Sequence, residues 1–432
     1  MAITLTNRIA QEHEGNVVSS APEDATTKRR RRAMQALSAR GLPINRDENW
    51  KYANLRPLER ARFAPAATAQ PGAVCSDQLP ARIEGYRRYA FVDGIFEPEL
   101  SAPLDESGGV TVRSMRNAER TEALPEDPDA RFTLLNEAFA TDGALVTTEP
   151  AAECVACVEL VFISTGSGTG AASYPRVELR VAPRSRLGII ERHLSLGEEA
   201  HLVNGAVHVD VSAGARVEHY RVQQSSTNAT WIDTLDPKVA QDANYQLYLI
   251  HLGAASARST LHLDLSGERA TCGLHVASVA ERQQVHDVYA LIDHAAAHSV
   301  SRQSFRGIAA GRARAACNSK VTVREGAHGA DSHQSLRGLL AGADAEIDVR
   351  PQLEIHTDDV RCAHGATAGK LDDAMLFYLL SRGIDPDTAQ LLLKWAFLED
   401  VVARIPVPEL RRQIEQGVAG RMSGTEALSE LL

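Results

Sequence analysis

The residues best placed to do chemistry lie near the C-terminal end, in Cys362-Ala363-His364-Gly365. On an extended chain a thiol and an imidazole two residues apart project from one face, with their backbones about 7 Å apart. Thiolate and neutral imidazole together suit iron, zinc or copper(I), so Cys362 and His364 are the candidate metal ligands. His356, Asp358 and the even positions upward from Glu346 share their parity, so the pair is expected to extend a polar strand face. The competing reading is a buried cysteine beside a turn histidine. Cys154-Val155-Ala156-Cys157 also has a metal or redox spacing. It sits in an apolar run, however, and on a strand positions i and i+3 face opposite sides. Those cysteines read as structural. His294 and His298 flank Ala295-Ala296-Ala297, which would put both on one face of a helix. No third ligand lies at metal spacing, and a hydrogen-bonding or interface role is expected for them.

Catalytic motifs fail one by one. Gly166-Ser167-Gly168-Thr169-Gly170 has no Lys-Ser/Thr after it and no helix signal, so it reads as a flexible loop. Gly365-Ala366-Thr367-Ala368-Gly369-Lys370-Leu371 is one residue short of a P-loop and lacks the magnesium-binding hydroxyl after Lys370. The chain is therefore expected to bind no nucleotide. His-Glu-x-x-His and Gly-x-Ser-x-Gly are absent.

The elements that would carry the Cys362–His364 pair are legible from patterning. Val207, Val209 and Val211 alternate with His208 and Asp210; Leu261, Leu263 and Leu265 alternate with His262 and Asp264. From Ala345 to Ile355 every odd position is apolar and every even one polar. Such period-two patterns mark half-buried strands. Short turn signals separate them, among them Ser212-Ala213-Gly214, Ser266-Gly267 and Glu325-Gly326. Strands dominate from about 85 to 365, and their even spacing fits a sandwich, a barrel or a solenoid. No repeat with a fixed residue signature appears, which leaves all three open. Residues from about 20 to 60 read as helix, turn and helix. Towards the C-terminus a helix from Leu371 to Ser381 shows Leu371, Met375, Leu376 and Leu379 on one side. A second helix begins at Asp385-Pro386, an N-cap followed by proline at the first helical position. Pro406 and Pro408 end it and open a shorter one.

Composition bounds the function. The 432 residues are 44% apolar and 24% charged, as in ordinary globular proteins. A net charge of −10 argues against a nucleic-acid surface. The one basic run, Lys28 to Arg32, reads as a solvated helix face or an anion patch. Six scattered cysteines and no long apolar run point to reduced thiols, no membrane contact and a cytoplasmic chain.

Five segments, in order, resemble the SufD family of the SUF iron–sulfur cluster scaffold. They are Glu48-Asn49-Trp50-Lys51-Tyr52 after Gly41-Leu42-Pro43; Phe132-Thr133-Leu134-Leu135-Asn136-Glu137-Ala138-Phe139 closed by Asp142-Gly143; Tyr174-Pro175-Arg176-Val177 followed by Ile190-Glu191-Arg192-His193; Cys362-Ala363-His364-Gly365-Ala366-Thr367; and Leu376 to Ile384. The resemblance covers residues 30 to 405 and implies a mainly β chain with a right-handed parallel β-helix core. The expected division is an N-terminal helical region (1–85), the β-helix (86–365) and a C-terminal helical domain (366–432). The resemblance further implies a non-catalytic scaffold subunit that pairs with its paralogue SufB, recruits the SufC ATPase and contacts a transient iron–sulfur cluster at the SufB interface. A homodimer in isolation is a further expectation. His364 stands where the family has its cluster-assembly histidine. Where SufB has a cluster-building cysteine, around Gln334-Ser335, this chain has no thiol, so this subunit is expected not to hold a whole cluster alone. SufC is expected on the C-terminal helices, with Leu391, Trp395 and Leu398 free for it while Leu392, Leu393, Ala396 and Phe397 pack inward. SufB is expected on the strands from Ser301 to Ile355, near Arg337 to Arg350. The alternative is a β-helix or cupin-like metal enzyme acting on a small molecule or polysaccharide.

Overall fold

Each alternating segment forms a strand, and successive strands are dealt alternately to two sheets. A computed structural model describes residues 4–19, 24–65, 74–104, 106–107, 109–117, 124–125, 129–151, 156–166 and 172–422. Cys154, Pro22, Glu23 and most of the Gly166–Gly170 loop lie outside the described residues.

A hairpin of β1 (Arg87–Val92) and β2 (Ile95–Glu97) opens one sheet. Antiparallel β3 (Glu106–Ser107), β4 (Val110–Ser114) and β5 (Ala144–Thr148) open the other. From there the pairing is parallel. The strands are β6 (Ala156–Ser164), β7 (Ala172–Ser173), β8 (Arg176–Val181), β9 (Arg186–Ser195), β10 (Leu202–Val211), β11 (Arg216–Gln224), β12 (Thr230–Val239), β13 (Asn244–His251) and β14 (Ser256–Leu265). They continue with β15 (Thr271–Ala280), β16 (Val285–His294), β17 (Val300–Ala310), β18 (Arg314–Val323), β19 (Ala330–Ala341), β20 (Glu346–Ile355) and β21 (Val360–Lys370). Odd-numbered strands from β9 to β21 stack in one sheet and even-numbered ones from β8 to β20 in the other. The result is a parallel β-solenoid, and the sandwich and barrel fall away.

Its rungs are in register but unequal in length. Val207 pairs with Leu235, Leu235 with Leu261, Leu261 with Ala290, Ala290 with Ser319 and Ser319 with Pro351. At one corner the backbone repeats a single device. Arg184, Gly214, Asp242, Arg269, His298 and Gly329 all have positive φ. Each donates its N–H to the next rung, to the carbonyls of Ala213, Gln241, Glu268, Ala297, His328 and Asp359. That places His298 in a left-handed corner and His294 at the end of β16, so the two do not share a helix face. Buried His294 is held by Ser299 and Ser301 hydroxyls at 2.7 and 2.8 Å.

Inward-facing residues such as Leu235, Leu247, Leu261, Leu274, Ala290, Phe305, Val321 and Leu336 form the main core. The helices lie outside it. Helices α1 (Leu5–His13), α2 (Ala25–Arg40) and α3 (Arg131–Phe139) pack with Trp50, Phe63, Tyr174, Leu202 and Ile232. After α2 the chain makes only short 3-10 turns, at Glu48–Trp50 and Arg56–Glu59, where a second α-helix was expected. The basic run lies inside α2, behind the Asp24 cap, with Lys28 and Arg32 exposed and the arginines between them half-buried. Arg29 pairs with buried Glu137 at 2.6 Å, and Arg30 donates to the Ala140 carbonyl.

At the other end come α4 (Asp373–Ser381), α5 (Pro386–Val402) and α6 (Pro408–Arg421). Leu391, Leu398, Val401, Leu410, Ile414 and Val418 cover Tyr220, Tyr248, Ile250, Val279 and Ile308 on the outer face of the odd-numbered sheet. Leu391 and Leu398 are thus buried rather than free for a partner, and Ala396 is exposed. The helix is rotated from the expected phase, with Leu391 and Leu398 turned onto the outer face of the odd-numbered sheet.

Candidate metal-ligand site on the last rung

Cys362 and His364 lie on β21, the last strand of its sheet, just as β20 is the last of the other. In-register parallel strands stack equivalent side chains in columns. Cys362 stacks on Ser332 and His364 on Gln334, and both underlying residues are buried. The two candidates share a face as expected, but it is the inner face of the solenoid. Cys362 and Val360 pack on the main core from β21, as do Val349 and Leu353 from β20.

The expected continuity with a polar face from Glu346 is therefore wrong. In β20 the even positions carry the outward ion pairs, with Arg314 reaching Glu346 and Lys320 reaching Glu354. His356 bonds Glu354 at 3.0 Å on that outer side. The corner from His356 to Asp359 inverts the parity, so even positions point inward in β21. Parity counts hold only within one strand.

His364 is exposed because no rung covers it, and it has no hydrogen-bond partner among the described residues. A Cβ added at Gly365 would meet nothing within 4 Å, so the outer face of β21 is open at the next position. The Cys362 thiol is pushed up from its ordinary pKa, chiefly by burial and also by Asp331, against a hydrogen bond from the Ser332 backbone. It is thus a neutral thiol at pH 7 in the lone chain, and metal approach has to displace its proton. Beneath His364, Gln334 donates to Ser319 while its Oε1 finds no partner. Among the described residues no three His, Cys, Asp or Glu side chains come together to hold a metal ion. Cys272 and Cys317 are buried in the core, with the Cys272 thiol pushed up to about 12 by burial.

The last rung is open at its edges as well as at its end. Of the strands from Ser301 to Ile355, β17, β18 and β19 are paired on both sides; only β20 has a free edge, matched by β21. The exposed edge is thus narrower than the expected docking segment, and it includes the strand that carries His364.

A second surface escaped the sequence reading. Helix α4 buries none of its residues, and Met375, Phe377 and Tyr378 are 59, 72 and 56% exposed. Asp372 caps its N-terminus through the Ala374 and Met375 N–H groups. The signal was available: apolar residues surround this helix, which matches no single buried stripe.

A parallel β-solenoid with an uncovered last rung, Cys362 and His364 on its inner face and helices at both ends defines an open-ended class of β-solenoid protein. The family model for the SUF system FeS cluster assembly SufBD core domain matches residues 162–397, more than half of the chain. The chain belongs to that family of iron–sulfur cluster assembly proteins. It is 29% identical to the iron–sulfur cluster assembly protein SufD of Escherichia coli, over 90% of this chain and 92% of that protein. An iron–sulfur cluster assembly SufBD family protein of Synechocystis is 26% identical over 94% of each chain. One from Mycobacterium tuberculosis is 25% identical over 89% of this chain and 91% of its own. No helix among the described residues is long and apolar enough to cross a membrane.

Proposed function

We propose that this chain is a non-catalytic, cytoplasmic scaffold subunit that pairs with SufB through the free edges of β20 and β21. The observation that carries the reading is the incompleteness of the last rung. It offers two donors and an open edge, and an iron–sulfur cluster held as cargo needs more ligands than that. His364 supplies a contact to the nascent cluster, and Cys362 joins it once its proton has left. The remaining donors come from SufB. SufC docks on α4, whose exposed Met375, Phe377 and Tyr378 are anchors of the size that dominates protein interfaces. In this reading 1–85 positions the solenoid, 86–365 is the scaffold and 366–432 recruits the ATPase.

The test is His364→Ala in a reconstituted complex with SufB and SufC. Cluster assembly followed by visible absorbance should fail while the complex still elutes intact. Assembly at the normal rate refutes the ligand role. A complex that falls apart assigns His364 to the interface instead.

A further inference from the structure

Apart from the last rung, the outer face of the odd-numbered sheet holds a cavity of about 440 Å³ where α5 leaves β17 and β19. Its floor is built by register. Arg302 pairs with His333, Ser304 with Ser335, and Arg306 with Arg337 across adjacent strands, and His275 underlies Ser304. Its far wall is Ala396, Phe397 and Asp400 from α5 and Arg404 from the turn after it. Four guanidinium groups thus face one carboxylate in a chain whose net charge is −10.

Asp400 is already engaged, by Arg306 and by Arg404. Arg306 is nearly buried and fixed by the Phe305 and Ser335 carbonyls at 2.8 and 3.0 Å. Arg302 is taken by Asp331. Arg337 is exposed and makes no hydrogen bond or ion pair with the described residues. Two buried groups lining the cavity also lack partners: His275 Nδ1 and Ser304 Oγ. Buried polar atoms are rarely left so, and a cluster of them in one cavity marks a place for a polar ligand.

We infer that this cavity binds a phosphate group, free or carried by a small organic molecule. The number and spread of donors decide the class. Guanidinium forks match both carboxylate and phosphate oxygens, but a carboxylate offers two oxygens on one edge. Here donors stand in three rows and on the facing turn after α5, as a tetrahedral anion requires. The cavity exceeds a bare phosphate, and the Phe397 ring supplies an apolar wall for an attached body. This site is separate from the cluster contact and does not depend on it.

The test is calorimetric titration of the full chain with inorganic phosphate, AMP and succinate in low-chloride buffer. Saturable binding of phosphate is expected, with Arg337→Gln and Arg404→Gln each weakening it about tenfold and the double variant more. Both arginines are exposed, and unchanged thermal melting will confirm that the variants fold. AMP binding more tightly than phosphate identifies an organic phosphate as the ligand, while equal affinities identify the free anion. Succinate competing as well as phosphate overturns the phosphate class. No saturable heat with any probe, or an equal loss from Arg216→Gln, an exposed arginine on β11, overturns the site.

Discussion

Arg258→Ala tests how the N-terminal layer is fastened to the solenoid. The Arg258 guanidinium pairs with Asp287, which is fully buried on the next rung. It also donates to the Asn49 carbonyl at 2.7 Å and lies 4.4 Å from the Trp50 ring and 5.3 Å from Tyr289. Burial pushes the Asp287 carboxyl up, against the pull of Arg258 and Arg314. Removing one partner of a buried ion pair costs about 3–5 kcal/mol, and a desolvated cation–π contact about 2 more at most. These overlap, so a loss of about 4 kcal/mol is expected. In the variant the Asp287 pKa rises further. A carboxyl raised in the folded state binds more protons folded than unfolded, so stability falls as pH climbs from the unfolded pKa through the folded one. Arg258→Ala should therefore regain stability as the pH is lowered from neutral towards the ordinary carboxyl range. Urea unfolding followed by tryptophan fluorescence reads both effects, and adding Asp287→Ala should recover part of the loss. A loss under about 1 kcal/mol, or one that does not change with pH, refutes this account.

Leu398→Ala should cost about 2–5 kcal/mol by opening a cavity under α5, and limited proteolysis should then release the C-terminal helices before the solenoid. Phe377→Ser and Tyr378→Ser should leave melting unchanged, because α4 buries neither. Each should weaken SufC binding by about 2 kcal/mol, roughly 30-fold. The His208 pKa is raised to about 9 by Asp210 and Asp236. The resulting stabilisation is complete below pH ~6.5 and lost as pH rises through about 9; NMR titration should find that midpoint, and Asp210→Asn with Asp236→Asn should lower it.

What the sequence made legible, and what it hid, follows from where each constraint acts. Strand faces were legible because one-sided burial forces alternation at Val207–Val211 and Leu261–Leu265. The solenoid was not legible from patterning, because its repeat resides in backbone geometry. One left-handed corner is filled in turn by Arg184, Gly214, Asp242, Arg269, His298 and Gly329, and a hydrogen bond to the next rung overrides the usual preference for glycine. With rungs spaced 26 to 32 residues apart by register, no residue signature can recur at a fixed period. The family resemblance supplied what periodicity withheld.

The same distinction explains the site. That Cys362 and His364 share a face is a property of one strand, and it held. Which face they share depends on the corner from His356 to Asp359, and no count along the chain passes through a corner. The inward orientation alters the chemistry expected of the pair. An outward pair would be solvated and ready for metal; an inward pair on an uncovered rung is half core, with Cys362 packed and its thiol pushed up by burial. A partner rung laid on β20 and β21 would bury the pair further and raise the cost of thiolate formation unless it brought a cation with it. In the proposed complex iron would supply that charge. Closing the rung and loading the cluster would then be coupled, with Cys362 giving up its proton to bind and the edge strands closing over a neutralised site. The proton released on loading is the measurable sign of that coupling.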